Sequence, residues 1–290
     1  MRRAPLRRLL ALLLGATLAA GVAAQSATPA AKAAPKKPAA QKAPFKAVLE
    51  PRAVELLKGM SQRLAAAKSL SFSAVASYEY PSRLGPPIVY SLRYDVALQR
   101  PNLLRVIVPG DGPATEFLWD GKEMVAFAPT ENLVAVASAP ATLEAALKQA
   151  FDTAAIYFPF TDLLLPDPYA AISPGAVTAF VVGPSAIVGG VKTEMIVWAN
   201  NDVFLQLWIG SDDKLPRRIR AQFRADPKGL RHDLELRDWQ LDGPLPAEHF
   251  STAKAKAGQP MAFAVPGRKV PVGARPVALQ PKPKTAAKPQ

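Results

Sequence analysis

The chain has 290 residues, no cysteine and a formal net charge of +13. This length allows one or two domains, and an exported chain without cysteine takes no stability from disulfide bonds. The basic charge does not indicate a nucleic-acid-binding protein. Residues 1–24, 25–48 and 251–290 carry four, five and eight basic residues and no acid, which leaves a net charge of −4 for residues 49–250.

The N-terminal segment has the pattern of a secretory signal peptide. The basic run MRRAPLRR precedes the apolar run LLALLLGATLAA, and small residues then allow cleavage before Gln25. We therefore expect export to the periplasm with residues 1–24 removed. An uncleaved membrane anchor is the less favoured alternative, because the apolar run is short for a bilayer span. Residues 25–48 are rich in alanine, proline and lysine, which predicts a disordered linker.

The next segment is predicted to be a helix followed by many strands. Residues 50–69 repeat apolar side chains at helical spacing (Val54, Leu57, Met60 and Leu64). The period of the pattern then changes to two. This predicts strands at residues 71–80, 88–99, 103–108, 115–119, 123–128, 133–138, 177–183, 191–199, 203–210, 216–225 and 230–239.

Two helical segments interrupt the strands at residues 141–156 and 160–172, and both are unusually apolar. We expect an α+β fold over residues 49–252: a curved antiparallel half-open β-barrel of about ten strands, with an N-terminal helix and the inserted helices as a lid. Residues 253–290 are predicted to be a disordered basic tail. The two tails are candidates for contact with an anionic membrane or cell-wall surface, and solvated linkers without a partner are the alternative.

Residues that could perform catalysis are few. The only histidines are His232 and His249, and the G-x-S-x-G, H-E-x-x-H and P-loop motifs are absent from the sequence. The stretch WDGKEMVAFAPTEN brings three carboxylates close in sequence, but the predicted strand within it separates Asp120 from Glu131. We therefore expect no catalytic residues, no metal site and no cofactor.

Several aromatic and aliphatic side chains in the strands and inserted helices could line a cavity for an apolar ligand. His232 shares an apolar strand face and is either a core residue or a polar anchor for a ligand head group. The candidate cavity residues are Tyr90, Leu92, Tyr94, Val106, Trp119, Val125, Phe127, Phe158, Leu164, Trp198, Trp208 and His232.

The order of several motifs resembles a family of predicted periplasmic proteins, domain-of-unknown-function family 2092. The motifs include AVELLKGMSQRLAAAKSLSFSA, RPNLLRVIVPGDG, FLWDGKEMVAFAPTENLVAVASAPATLEAAL, PFTDLLLPDPYAAI and VGGVKTEMIVW, in that order. That family is similar to the lipoprotein-carrier superfamily of LolA and LolB. The resemblance implies a half-open barrel with helices over its mouth and a hydrophobic cavity suited to acyl chains.

The function expected from these features is non-catalytic binding of a lipid or lipoprotein acyl chain by a periplasmic monomer. The first alternative is a protein-interaction or envelope-sensing module in which the same barrel is closed and packed. An enzyme is the third alternative and would need a cleft with carboxylates of perturbed pKa. Nucleic acid is not expected as a partner.

Overall fold

The computed structural model describes residues 47–110 and 112–264. The predicted signal peptide, almost all of the predicted linker and the tail beyond residue 264 lie outside the described residues. Among the described helices, none has the length and apolar character needed to cross a membrane.

Within the described residues, alternating apolar and polar side chains form twelve strands of a single sheet. The strands are β1 Ser69–Tyr80, β2 Ile88–Gln99, β3 Leu103–Val108, β4 Thr115–Trp119, β5 Glu123–Ala128, β6 Leu133–Ser138, β7 Thr178–Ser185, β8 Thr193–Ala199, β9 Val203–Gly210, β10 Pro216–Phe223, β11 Arg231–Leu241 and β12 Gln259–Met261. All neighbouring pairs are antiparallel except β12 with β6. The sheet is curved and unclosed, so the predicted fold class is confirmed.

In the part of the chain that the structure describes, five α-helices accompany the sheet: α1 Pro51–Ala66, α2 Leu143–Ala154, α3 Thr161–Leu164, α4 Pro168–Ile172 and α5 Ala253–Lys256. Helix α1 buries Leu57, Met60 and Leu64, as its helical spacing predicts. It packs on α3, α4, β7 and β8. The buried Ser61 joins α1 to α4, since its Oγ accepts a hydrogen bond from the Tyr169 backbone N–H at 2.9 Å.

The order of strands across the sheet is β12-β6-β5-β4-β3-β2-β1-β11-β10-β9-β8-β7. Strands β6 and β7 follow one another in the chain but lie near opposite ends of this order. The connection between them carries α2, α3 and α4, and its side chains Phe158, Phe160 and Leu163 belong to the main hydrophobic core with residues of the central strands. The connection therefore crosses one face of the sheet, which we call the inner face.

The β4–β5 hairpin shows why the carboxylates of WDGKEMVAFAPTEN do not form a site. The Asp120 Oδ1 accepts hydrogen bonds from the backbone N–H groups of Lys122 and Glu123, at 2.9 and 2.8 Å. Gly121 has φ +81°, and a Cβ there would lie 2.9 Å from the Asn102 side chain. Asp120 is thus a turn residue. In the described part of the chain, no group of three or more histidine, cysteine or acidic side chains could hold a metal ion.

The ordered domain extends further than the sequence predicted. The boundary expected at residue 252 is wrong, because α5 and β12 follow it. Ala255 of α5 is buried against Leu118, Val125 and Val134 on the outer face of the sheet. Strand β12 adds to β6, with the Gln259 N–H donating to the Asn132 carbonyl at 2.7 Å. The composition of this segment suggested disorder. The segment is nevertheless ordered, because it packs on apolar residues of β4–β6 on the outer face that would otherwise be exposed to water.

We predict that the packing of α1 on the inner face contributes strongly to stability. Leu57→Ala should lower the free energy of unfolding by about 2–5 kcal/mol, since Leu57 is fully buried and its truncation leaves a cavity. Glu55→Ala on the exposed side of α1 is the matched control and should change it by less than about 0.5 kcal/mol. Urea denaturation followed by circular dichroism measures both, and equal effects of the two substitutions would contradict this account.

Candidate functional site

A cavity of about 860 Å³ lies between the inner face of the sheet and residues 157–163. Strands β1, β2, β9, β10 and β11 form its floor. Their inward-facing residues include Ala76, Leu92, Leu205, Leu207, Ile219 and Leu234. Strand alternation explains this set, because every second residue of each strand faces inward.

Aromatic side chains attach residues 157–163 to the sheet. The rings of Phe158 and Phe160 stack with their centroids 5.7 Å apart. Phe160 meets Tyr94 and Phe72 edge-on, at centroid distances of 5.3 and 5.4 Å. Such pairs each contribute about 0.5–1.5 kcal/mol beyond the burial of their area. The wall opposite the sheet is therefore held in place by its own side chains.

The cavity is exposed where the β1–β2 and β10–β11 turns meet. Tyr80 and Tyr90 line it and are 53% and 50% exposed. On the β10–β11 side the cavity is lined by Asp226 and Leu230, which are partly exposed. The mouth therefore lies at this end of the sheet, and the apolar floor extends inward from it.

Three of the acidic residues around the cavity have partners for their carboxylates, and those of Glu79 and Asp233 lie on the outer face, since Tyr78, His232 and Leu234 face inward. Glu79 accepts hydrogen bonds from the Arg231 side chain, which lowers the pKa of Glu79 below its usual range. Asp233 accepts from the Arg218 Nη2 at 2.9 Å. Asp226 accepts from the Leu230 backbone N–H at 2.8 Å. These contacts stabilise turns and strand pairs near the mouth.

The fourth carboxylate, Asp162, differs from the other three. Its Oδ1 is buried and has no hydrogen-bond partner among the described residues. Burial, with a smaller contribution from the charge of Glu144, raises the pKa of Asp162 to about 6. Burial disfavours the charged form of a carboxyl group, so this side chain is held in an unfavourable state at neutral pH.

Burial also shifts the pKa values of three further side chains that line the cavity, Tyr94, Tyr157 and His232. Burial, with a smaller contribution from Tyr78, raises the pKa of Tyr94 to about 12. The pKa of Tyr157 is also raised, mainly by burial and then by the nearby Asp162 and Tyr94. Burial lowers the pKa of His232, whose ring stacks on Tyr78 with the centroids 6.4 Å apart.

The structure places five of the twelve predicted residues in the cavity wall: Tyr90, Leu92, Tyr94, Phe158 and His232. Ligand binding by these residues stays a prediction.

The structure places Trp119, Leu164 and Trp198 elsewhere, which corrects their assignment to the cavity. All three are buried to 1% exposure or less in the main core. Trp119 donates its Nε1–H to the Pro140 carbonyl, and Trp198 meets the Tyr169 ring edge-on. They fill the core because the segment around Pro140 covers Trp119 in one half of the sheet and helix α4 covers Trp198 in the other half.

The assignment of Val125 and Trp208 to the cavity is also wrong, because both lie on the outer face. Trp119 pairs with Met124, so Val125 has the opposite orientation and packs under α5. Leu207 lines the cavity, so its neighbour Trp208 faces outward. There the Arg218 guanidinium lies 5.4 Å from the Trp208 ring centroid.

A second, smaller cavity of about 270 Å³ accounts for Val106 and Phe127. It lies over β3–β6 and residues 261–264, and Phe158 lines both cavities. Val106 and Phe127 are therefore in contact with a cavity, but not with the one between the sheet and residues 157–163.

Sequence reasoning missed two groups of cavity residues. Tyr78, Leu205 and Leu207 lie in strands that were predicted, and the period of two within each strand was the signal that could have found them. Asp162 gave no signal, because a single acidic residue before an apolar run also fits the first turn of a surface helix. Its burial depends on the path of the connection across the sheet.

A family model described as predicted periplasmic protein, DUF2092, matches residues 53–264. The chain belongs to this family. The periplasmic location that the sequence predicted is thereby confirmed. None of the curated proteins matches the sequence.

Several solved structures resemble this member of the DUF2092 family at low sequence identity. An uncharacterized conserved protein from Thermus thermophilus aligns with a TM-score of 0.42 and 14% identity, over 73% of this chain and 99% of that chain. A LolA superfamily protein from Nitrosomonas europaea aligns with a TM-score of 0.35 and 13% identity, over 69% and 97%. MucB, in its complex with MucA from Pseudomonas aeruginosa, aligns with a TM-score of 0.38 and 12% identity, over 70% and 62%.

The raised pKa of Asp162 predicts a pH-dependent loss of stability. The folded state holds the proton more tightly than the unfolded chain, whose carboxyl has a pKa near 3.8. The contribution of Asp162 to the free energy of unfolding is therefore fully present below pH 3.8 and is lost as the pH rises through about 6. Asp162→Asn removes it, so the stability advantage of the variant over the wild type should grow by roughly 2–3 kcal/mol between acidic and neutral pH.

Urea denaturation of both proteins across this pH range measures the difference. Subtracting the two curves removes the contributions of all other carboxyl groups, including Glu79. A difference that does not change with pH would show that Asp162 titrates normally.

Proposed function

We propose that this protein binds one alkyl or acyl chain of a lipid or lipoprotein in the cavity of about 860 Å³ and performs no covalent chemistry. The observation that carries the proposal is the cavity itself. Ligand sites commonly measure about 300–1,000 Å³ and combine a mostly apolar wall with a few polar groups. The aliphatic floor and the aromatic wall have this composition.

Desolvation of the alkyl chain supplies the binding energy. Each methylene group that leaves water contributes about 0.8 kcal/mol. The inward-facing Leu92, Leu205, Leu207 and Ile219 offer no hydrogen-bonding side chain, so a hydrocarbon can lie against them without leaving a polar group unpaired. Entry takes place at the mouth beside Tyr80 and Tyr90.

The open interior favours this proposal over the packed interaction module. That alternative needs side chains to fill the space between the sheet and the connection. Phe158 and Phe160 cover only part of the inner face, and the floor formed by β1, β2, β9, β10 and β11 remains in contact with the cavity.

A side chain that fills the cavity should abolish binding. Ala221→Trp places an indole among the inward-facing residues of β10 and should weaken binding of a fluorescent neutral alkyl probe by at least about tenfold. Val89→Trp is the matched control. It adds the same ring to β2 at a residue that is 62% exposed and does not contribute to the cavity wall, and it should leave affinity unchanged. Equal affinities of the two variants would contradict the site.

Chain length provides a second test. Affinity for a series of linear alcohols should rise by up to about fourfold per added methylene until the chain fills the cavity, and should then level off. Phe158→Ala opens the wall that the two cavities share, so the plateau should move to longer alcohols. Isothermal titration calorimetry measures the series. If no alcohol binds the folded wild-type protein, and an organic extract of the purified protein contains no lipid by mass spectrometry, the proposed function is wrong.

A further inference from the structure

The proposed function leaves the charge of the cavity unexplained. Among the described residues that line it, four are acidic, one is a histidine and none is a lysine or arginine. The carboxylates of Glu79 and Asp233 face away from the cavity, because their strand neighbours Tyr78 and Leu234 face inward, so Asp162 and Asp226 are the acids whose side chains remain on its side. A site built for a fatty-acid carboxylate or a phosphate would present cationic groups to it. The polar part of this cavity presents the opposite charge.

Only one of these four acids is left for a ligand. Glu79 and Asp233 pair with Arg231 and Arg218, and Asp226 accepts the N–H groups of its own turn. Asp162 lines the cavity with a buried Oδ1 that has no partner among the described residues. Burial of a carboxylate without a partner destabilises the folded protein, and binding of a cation beside it offsets part of this destabilisation.

We propose that the cavity selects a single-chain amphiphile whose polar end is a primary ammonium group, with the ammonium bound to Asp162 and the alkyl chain on the floor formed by β1, β2, β9, β10 and β11. This inference rests on the proposed function and specifies its ligand class. The ammonium donates a hydrogen bond to the Asp162 carboxylate, and the two opposite charges neutralise each other inside the protein.

Ligands with other polar ends fit this site less well. A carboxylate would face Asp162 at close range, where two like charges repel each other in surroundings of low polarity. A hydroxyl can donate a hydrogen bond to the Asp162 carboxylate but leaves the negative charge uncompensated. The affinity order expected for equal chains is therefore amine, then alcohol, then carboxylate.

Three probes with the same chain separate the head group from the chain: dodecylamine, dodecanol and dodecanoate. Each competes at neutral pH with a neutral fluorescent alkyl probe bound to the full-length protein. Charge-assisted hydrogen bonds contribute about 1.5–3 kcal/mol, so the wild-type protein should bind the amine at least about tenfold more tightly than the alcohol. It should bind the carboxylate more weakly than the alcohol.

Asp162→Asn keeps the shape of the side chain and removes its charge. This variant should lose the preference for the amine, so that it binds dodecylamine no more tightly than dodecanol. Asp152→Asn is the matched control, because it removes an equal charge at an exposed residue of α2 that does not line the cavity. The control should keep the preference for the amine.

The outcomes separate the two proposals. The ammonium site is wrong if the wild type binds dodecanoate as tightly as dodecylamine. It is also wrong if Asp162→Asn keeps the preference for the amine. In both cases the proposal of alkyl binding stands. Failure of all three probes to bind overturns the proposed function and the inference with it. The comparison of probes on the wild type needs no variant to fold.

Discussion

The position of β6 and β7 near opposite ends of one sheet is the constraint on which the rest of the structure depends. Residues 139–177 have to cross the inner face to join these strands, and a connection on that face must be apolar. This explains the unusual hydrophobicity of the inserted segments. It also brings Phe158, Phe160 and Asp162 over the central strands, although none of them belongs to the sheet.

The cavity exists because the connection covers the inner face unevenly. Helix α1 and the helices α3 and α4 fill the space over β7 and β8, where Leu57, Met60 and Trp198 are fully buried. Near the β1–β2 and β10–β11 turns none of the described helices covers the strands, and Leu92, Leu205 and Ile219 line the cavity. Stability and binding are thus divided between two parts of the same face. A core substitution at Leu57 and a cavity substitution at Ala221 should therefore have separable effects.

Local pattern predicted the strands, the N-terminal helix and the curved unclosed sheet, because alternation and helical spacing are properties of neighbouring residues. The orientation of individual side chains was less predictable. Val125 was assigned to the wrong face, since the hairpin pairs Trp119 with Met124 and the strand is too short to show its own phase. The burial of Asp162 and the formation of α5 and β12 depend on contacts between distant parts of the chain. A pattern of neighbouring residues does not predict such contacts.

The central claim is that an alkyl chain occupies the space between the sheet and residues 157–163, and a crystal structure of the protein with dodecylamine tests it most directly. The account predicts continuous density for the chain against Leu92, Leu207 and Ile219, with the amine nitrogen within hydrogen-bond distance of the Asp162 carboxylate. An empty cavity, or a ligand bound only to the outer face beside Trp208, would contradict it.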